Sequence, residues 1–418
     1  MSTATDNLLA GLSESLQERS RCTREVGQPI DGDFVLYWMR TAVRVDENPA
    51  LDAAIELANQ LDLPVFVYHA LSERYPYASD RHHTFILQAA RDVQADLAKK
   101  KIAYAFHLER PGHRGPHLKE LAGRAAIVIT EDMPVEPLHG WTRALARGLS
   151  TPIVLVDTAC IVPMQLVGKA YERAFAFRNA TKKLYDERGT RSPRPVAPKA
   201  VGPIPDQLPF EPLDLQAADL AKIVSQCEID HAIGPVPHTP GGSRAGYARW
   251  NRFKAQRLSK YARLRNNALV DGVSRMSPYL HYGMVSPMRI AREAATADSQ
   301  GAEKYLDELL IWRELAYAFC FDRQDHNRIS ALPYRARATL TMHEVDPRPE
   351  LLSWERLARA RSGDALWDAA QQSLLIHGEL HNNVRMTWGK AILTWTADAK
   401  RALAVMIDLN HRYALDGS

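Results

Sequence analysis

The stretch FVLYWM at residues 34–39 is the first of five short apolar runs in the first 160 residues. The segments between the runs carry apolar residues at three- and four-residue spacing, as in NPALDAAIELANQLD. Strand, helix and strand repeated in this order predict a parallel sheet covered by helices on both faces. The other runs are LPVFVYHA (63–70), IAYAFHL (102–108), AAIVIT (125–130) and PIVLVDT (152–158).

The remaining sequence divides the chain further. Ten prolines lie between residues 187 and 240, and this stretch predicts a surface connector that builds no helix and joins no sheet. After Gly241-Gly242 the pattern is helical to the end, without a convincing strand. We therefore predict a polar tail, frayed or a short helix, at 1–31, an α/β Rossmann-like domain at 32–165, a connector at 166–240 and an all-α domain at 241–418.

Composition excludes several classes of protein. The 46% apolar and 24% charged residues are ordinary for a soluble globular chain, and no stretch approaches the roughly 18 apolar residues of a membrane span. The α/β half has no GxGxxG or GxxxxGK[ST] motif, which argues against a standard dinucleotide or P-loop site. Four scattered cysteines without a CxxC pair, and an N-terminus unlike a secretory signal, favour a cytoplasmic protein.

The basic run at 241–270 and the histidine pair His82-His83 could each be functional or merely part of the surface. Residues 241–270 contain eight basic residues and no acidic one, which fits a nucleic-acid footprint or, more commonly, the solvated face of a helix. The adjacent His82 and His83 would diverge on a helix, so we expect two surface histidines and no metal site. The basic residues are Arg244, Arg249, Arg252, Lys254, Arg257, Lys260, Arg263 and Arg265.

Tryptophans and serines of the helical half suggest chemistry. Trp388 and Trp395 are seven residues apart and would share one face of one helix, either as core residues or as an electron path to a redox cofactor. In DGVSRMSPYLHYGMVSP (271–287), Ser274 and Ser277 flank a helix start, where hydroxyls and free N–H groups can hold phosphate. The alternative is a plain capped helix with Pro278 in its first turn.

Five ordered motifs carry a resemblance to a known family. SRMSPYLHYG (274–283), DELLIWREL (307–315), ALWDAAQ (365–371), HNNVRMTWGKAILTWT (381–396) and LNHRYALDG (409–417) resemble the photolyase/cryptochrome flavoproteins. YWMRTAVRVDENPAL (37–51) is similar to the opening of class II cyclobutane pyrimidine dimer photolyases. The resemblance covers roughly residues 33–418.

The resemblance implies a fold, a cofactor and a reaction. The all-α domain would bind FAD, and the α/β domain a deazaflavin or another antenna chromophore. Light would drive an electron from reduced flavin into a pyrimidine dimer flipped out of DNA, so the chain would be a photolyase that repairs such dimers. We expect a monomer that binds dimer-containing DNA and no membrane. The alternatives are a cryptochrome-like blue-light receptor without repair activity and a nucleic-acid-binding protein that has lost its flavin.

The resemblance also implies roles for particular residues. Around the FAD phosphates and the neighbouring polar stretch it implies Tyr261, Arg265, Asn266, Ser274, Arg275, Met276 and Ser277. Against the flavin ring it implies Arg385 with Asp416, and Asn410 near N5. For the lesion it implies Glu308, Trp312 and Asn382, and for photoreduction Trp388, nearest the flavin, with Trp367 and Trp395.

The chain departs from the family pattern in two places. It has His381-Asn382 where class II sequences generally have HG, so the adenine and lesion surroundings are expected to be mixed. Family members also continue beyond the point where this sequence stops, at Asp416-Gly417-Ser418, with a segment that holds a second lesion-stacking tryptophan. The C-terminal end is therefore expected to be shortened and the lesion affinity reduced.

Overall fold

A central six-stranded sheet organises the first part of the chain, in a computed structural model that describes residues 4–23 and 30–417. The strand order is β1-β6-β5-β2-β3-β4, and every pairing except that of β1 with β6 is parallel. The predicted parallel sheet is confirmed. The strands are β1 Ser20–Cys22, β2 Phe34–Met39, β3 Val65–Leu71, β4 Ala103–Leu108, β5 Ala125–Glu131 and β6 Ile153–Val156.

Helices cover both faces of this sheet because the central strands are apolar on both sides. All six residues of β2 are buried, and alternate ones enter two separate apolar clusters. The first covering helix begins where Asn48 accepts hydrogen bonds from the N–H groups of Ala50 and Leu51, with Pro49 in its first turn. The helices of this part are α1 Ala4–Ala10, α2 Glu14–Gln17, α3 Pro49–Leu61, α4 Asp80–Lys99, α5 His117–Arg124, α6 Leu138–Arg147 and α7 Met164–Val167.

Two sequence predictions about the flanking segments were wrong in part. The tail at 1–31 contains the short helices α1 and α2, in line with one of the two expectations, but also the unexpected strand β1. Three residues are too few to show alternation, and Arg19 stabilises the strand by donating to the carbonyls of Asp157 and Cys160. In the connector, α8 Ala174–Arg188 lies almost wholly before the proline-rich stretch 187–240, but a second helix, α9 Leu220–Val224, lies within that stretch, where no helix was expected. The second helix lies in the proline-free interval between Pro212 and Pro235, where nothing prevents helical hydrogen bonding.

The second half is helical, as predicted, and the strands of the described residues all lie between 20 and 156. A π-helical segment, Asp307–Trp312, joins two of its α-helices. No helix in the described ranges is long and apolar enough to cross a membrane. The helices are α10 Ser243–Gln256, α11 Tyr261–Leu264, α12 Ser277–His281, α13 Pro287–Ala295, α14 Gln300–Leu306, α15 Arg313–Asp322, α16 Tyr334–Met342, α17 Trp354–Ala358, α18 Ala365–His377, α19 Asn382–Ile392 and α20 Ala399–Tyr413.

Buried polar contacts join the two halves. The Glu314 carboxyl of α15 accepts hydrogen bonds from the backbone N–H groups of Ile161 (2.6 Å) and Val162 (3.2 Å), just after β6. The Tyr185 hydroxyl of α8 donates to the same carboxyl at 2.7 Å. Burial raises the pKa of Glu314 to about 8, against the opposing effect of these donors. These contacts fix α15, and with it the π-helical segment, against the sheet.

Candidate functional site

Three predicted ring-contacting residues meet at the C-terminal end of α20. The Arg385 guanidinium of α19 lies 2.8 Å from the Asp416 carboxylate and donates to the Asn410 side-chain oxygen at 3.2 Å. Burial alone would raise the pKa of Asp416, but the charge of Arg385 and hydrogen bonds from Arg385 and Ser277 outweigh burial and lower it. A charged pair and a side-chain amide therefore stand together, with the start of α12 beside them.

The turn before α12 is shaped by Arg275. This residue adopts φ +52°, a left-handed conformation uncommon for a side-chain-bearing residue, and its guanidinium lies 3.2 Å from Glu379. Pro278 occupies the first turn of α12, as predicted, but the N-cap residue is Met276, which makes no side-chain cap. The serine hydroxyls bond elsewhere, Ser274 to Tyr305 and Ser277 to Asp416, so the plain capped helix is not what forms.

A second polar cluster lies around Arg265. Its guanidinium is 2.8 Å from the Glu308 carboxylate, and Lys304 also lies 2.8 Å from that carboxylate. Arg265 donates to the Asn266 side chain at 3.0 Å and also bonds the Tyr261 hydroxyl. The buried ring of Tyr261 meets the Tyr305 ring edge-on. Burial raises the pKa of Tyr261, so this hydroxyl is a neutral donor at physiological pH.

Glu308 and Trp312 both lie on the π-helical segment. π-Helical turns inside α-helices are frequent at functional sites, because the extra residue redirects neighbouring side chains. The Glu308 side chain is 24% exposed, and the Trp312 residue is 52% exposed, an unusual exposure for an indole. The segment thus presents a carboxylate and an open aromatic face one turn apart.

Buried polar atoms without partners test whether this region could hold a polar cofactor. Arg265 Nε and His381 Nε2 are buried and have no hydrogen-bond partner among the residues that the structure describes. Such atoms are costly to leave unpaired, so they are expected where a ligand completes the bonding. Together with the Arg385–Asp416 pair and the Tyr261 hydroxyl, these donors fit a phosphate-bearing flavin.

The three predicted tryptophans form a continuous ring contact. Trp367 of α18 stacks on Trp388 at 6.1 Å and 6°, and meets Trp395 edge-on at 5.4 Å and 89°. Trp367 Nε1 donates to the Trp388 carbonyl at 3.0 Å, and Trp388 Nε1 donates to the buried Gln371 side chain at 3.0 Å. One prediction was wrong: α19 ends at Ile392, so Trp395 lies in the following turn and not on the same helix as Trp388.

A cavity of about 960 Å³ opens at the carboxyl ends of β2 to β5. Its lining includes Trp38, Tyr68, His83 and, from the helical half, Tyr317. The expected surface position of His82 and His83 was wrong: they are 3% and 1% exposed, because α4 packs its first turn against the helical half. Both ring nitrogens of His83 are buried without a partner among the described residues, so this cavity too has unsatisfied polar groups.

The structure brings most predicted residues together, with one exception. Asn382, expected at the substrate, is exposed at the first position of α19, and it is Asn383 that donates to the Asn266 carbonyl at 3.2 Å. The resemblance to the HN pattern drew attention to position 382, but a helix start turns 382 and 383 to different sides. Sequence reasoning also missed Gln371, although it lies in the ALWDAAQ motif.

Half of the cations in the basic run at 241–270, four of eight, are neutralised by ion pairs. Arg249 donates to the His238 carbonyl and the Thr239 hydroxyl. Arg252, Lys260 and Arg263 are exposed and have no ion-pair partner within 4–23 and 30–417. These three form the unpaired basic patch. In the described ranges, no group of three His, Cys, Asp or Glu side chains is arranged to hold a metal ion.

Comparisons with known proteins agree with this architecture. The family model described as DNA photolyase matches residues 35–198. A deoxyribodipyrimidine photo-lyase from Methanothermobacter thermautotrophicus is 31% identical over 402 residues, which cover 96% of this chain and 86% of that protein. Two solved structures share the fold: a class III photolyase from Agrobacterium tumefaciens (TM-score 0.63, 16% identity, 94% and 83% of the two chains) and a Synechocystis cryptochrome (TM-score 0.65, 17% identity, 91% and 82%).

Proposed function

This chain belongs to the photolyase/cryptochrome family, and we propose that it is a light-driven, FAD-dependent lyase that repairs cyclobutane pyrimidine dimers in DNA. The name deoxyribodipyrimidine photo-lyase on a relative that matches 96% of the chain supports this reaction. The observation that carries the proposal is the exposed Trp312 indole one π-helical turn from the Glu308 carboxylate.

The FAD site in this proposal is built from the two polar clusters. Tyr261, Arg265 and Asn266 offer hydroxyl, guanidinium and amide donors to the phosphates and ribose. In the Ser274–Ser277 turn, whose shape Arg275 and Met276 set, the two serine hydroxyls would exchange their bonds to Tyr305 and Asp416 for bonds to the phosphates. Arg385, Asp416 and Asn410 face the ring. FAD, when bound, supplies the light absorption and the electron transfer that these side chains cannot provide.

The lesion site in this proposal needs aromatic area and a hydrogen bond. Trp312 offers its exposed ring to stack on a flipped pyrimidine pair, and such stacking contributes about 1–3 kcal/mol per base. Glu308 binds the base edge, while Arg265 and Lys304 hold its carboxylate in one orientation. The unpaired basic patch Arg252, Lys260 and Arg263 binds backbone phosphates, with no part in base recognition.

The tryptophan chain is proposed to deliver electrons. Aromatic rings in contact provide a route through an otherwise saturated protein interior, and Trp388, Trp367 and Trp395 supply three such rings in sequence. The hydrogen bond from Trp388 to Gln371 fixes the buried end of the chain. We place Trp388 nearest the cofactor because it shares α19 with Arg385, one turn away.

The cavity at the carboxyl ends of the strands is proposed to hold an antenna chromophore, a deazaflavin or another aromatic compound. Its volume of about 960 Å³ accommodates a tricyclic molecule, and its aromatic lining offers stacking surfaces. The unpartnered nitrogens of His83 would bind polar atoms on that molecule. Reconstitution of the purified chain with a synthetic deazaflavin tests this assignment, and His83→Phe should weaken the binding.

A light receptor without repair activity is the second candidate. The observation that favours it is the engagement of Glu308 by both Arg265 and Lys304, which leaves this carboxylate less free to reach a base. We further propose a cytoplasmic monomer. The thiols of Cys160, Cys227 and Cys320 form no disulfide, which supports the cytoplasmic location.

One experiment distinguishes the repair lyase from the light receptor. The purified chain, reconstituted with FAD and reduced, is mixed with an oligonucleotide that carries one thymine dimer, and repair is followed under blue light and in darkness. Light-dependent repair supports the lyase. Flavin binding and photoreduction without repair support the receptor, and absence of flavin binding contradicts both.

A further inference from the structure

Four backbone carbonyls converge on one guanidinium where α4 meets the helical half. Arg81, in the first turn of α4, is 3% exposed and donates to the carbonyls of Leu374 (2.7 Å), Leu375 (2.6 Å), Gly234 (3.2 Å) and Tyr413. Burial lowers its pKa to about 10, so it keeps its charge at neutral pH. Leu374 and Leu375 lie in the last turn of α18, and Tyr413 ends α20.

The helix ends explain why a cation belongs here. The last carbonyls of a helix have no partner within the helix and carry the negative end of its dipole. One planar guanidinium with five donors can satisfy several of them at once, which an ammonium group cannot do with the same geometry. Arg81 therefore acts as a shared C-terminal cap for α18 and α20.

His82, the residue after Arg81, contacts Ala414, the residue after Tyr413. His82 Nε2 lies 3.2 Å from the Ala414 carbonyl, and Leu415 N–H donates to the Gly378 carbonyl at 2.8 Å. Residues 413–415, the strap, are thus held from both sides, by α4 and by Gly378, the residue directly after α18. Asp416 follows directly and pairs with Arg385.

The segment has little freedom to adjust. A Cβ at Gly417 would lie 2.1 Å from the Asn410 carbonyl oxygen, so the chain after the strap already packs as closely as a glycine allows. A displacement of Tyr413 or Ala414 would therefore move Asp416 relative to both Arg385 and Asn410. Close-packed segments pass on such shifts because few voids are available to absorb them.

We propose that Arg81, assisted by His82, is a positioning residue that holds the strap and thereby sets the Arg385–Asp416–Asn410 geometry for FAD binding. This inference rests on the proposed function, because it assigns the three residues to the flavin. It also extends that function: the first turn of α4 lines the α/β cavity through His82 and His83, so the two proposed ligand sites share one structural element.

The test compares two arginines of the same helix. Arg91 also donates to two carbonyls, those of Leu215 (2.7 Å) and Ala218 (2.6 Å), but these belong to the connector far along the chain from Asp416. Arg81→Lys and Arg91→Lys each keep the charge and lose the planar fork. FAD affinity is measured by fluorescence titration of the flavin-free chain, and backbone order by hydrogen exchange of residues 411–417.

Arg81→Lys should raise the FAD dissociation constant by about tenfold, within the usual range of coupling between sites, and speed exchange at Leu415. Arg91→Lys should change neither, although both variants lose stability. His82→Leu, which preserves volume and removes the contact to Ala414, should give a smaller shift in the same direction and serves if Arg81→Lys does not fold.

Equal effects of the two lysine variants on FAD affinity, or unchanged exchange at Leu415 in both Arg81→Lys and His82→Leu, would overturn the positioning role. If the parent chain binds no FAD, the proposed function fails, and the exchange measurement still decides whether Arg81 holds the strap.

Discussion

The indole rings of Trp367 and Trp388 lie parallel, 6° apart in orientation with their centroids separated by 6.1 Å. They come from different helices, α18 and α19, and the Trp367 N–H donates to the Trp388 carbonyl. The stack is therefore fixed by backbone as well as by ring packing. The proposed electron transfer through this stack requires that both rings are readily oxidised.

Replacement of Trp388 tests the inner end of this chain. Phenylalanine keeps the aromatic bulk but is much harder to oxidise, so Trp388→Phe should slow photoreduction of bound FAD more than about tenfold, equivalent to a barrier increase of about 1.4 kcal/mol. Trp354→Phe is the matched control. This indole packs against the same apolar core, but it donates to Asp408 and is not one of the three tryptophans proposed to carry electrons. Flavin absorbance during illumination is the measurement. Equal rates for Trp388→Phe and the parent would make Trp388 a core residue only.

Trp312 carries the prediction about the lesion. Trp312→Ala should weaken binding to dimer-containing DNA by about 1–3 kcal/mol, the usual contribution of one stacked base, and leave FAD content unchanged. Phe175→Ala is the control, because Phe175 is 68% exposed on α8 and has no assigned role. Competition titration against a labelled dimer oligonucleotide measures both. Similar affinities for Trp312→Ala and Phe175→Ala would remove Trp312 from the lesion site.

Gly283 tests the contact between the SRMSPYLHYG motif and the loop that follows β2. A Cβ at this position would lie 2.1 Å from the Thr41 carbonyl oxygen, and φ is +59°. Gly283→Ala should cost about 2–4 kcal/mol of unfolding free energy, from backbone strain plus overpacking. Gly112→Ala shares the positive φ (+80°) without any atom within 4 Å, so it should cost only about 1–2 kcal/mol. Urea denaturation measures the unfolding free energy of both variants. Equal losses of unfolding free energy would mean that the backbone at Thr41 shifts at little cost to accommodate the added Cβ.

Sequence reasoning located most of the fold for physical reasons, whereas the candidate site residues came from the family resemblance. The buried strands could be recognised because both of their faces are apolar. The structure brings the three tryptophans into contact and pairs Arg385 with Asp416, and the assignment of these residues to a flavin stays a prediction. Long-range contacts left no such signal. β1 is only three residues long, and Arg81 looks like any charged residue in a helical first turn until two distant helix ends meet it.

Asp416 makes the site sensitive to acid. Its pKa is lowered in the folded chain, so its pairing stabilises the fold fully above the unfolded carboxyl's pKa, about 4, and that stability is lost as pH falls through the folded pKa. Asp416→Asn should therefore cost about 1–3 kcal/mol at pH 7, with the difference from the parent shrinking below pH 4. Glu350→Gln breaks an exposed pair with Arg356 and should cost less than about 1 kcal/mol. A difference for Asp416→Asn that does not change with pH would contradict the charge-based account.

The unpaired basic patch gives the last prediction, about DNA. Each phosphate neutralised on a duplex contributes roughly −0.9 to the slope of log K against log salt, so contacts by Arg252, Lys260 and Arg263 together predict a slope of about −2.7. Arg263→Ala should make the slope shallower by about 0.9 and weaken binding for damaged and undamaged DNA alike. Arg244→Ala is the control, because ion pairs with Asp92 and Asp96 already neutralise the charge of Arg244, which is therefore not expected to bind a phosphate. The slopes come from fluorescence anisotropy at several salt concentrations. Equal slopes for Arg263→Ala and Arg244→Ala would place the DNA contacts elsewhere on the helical half.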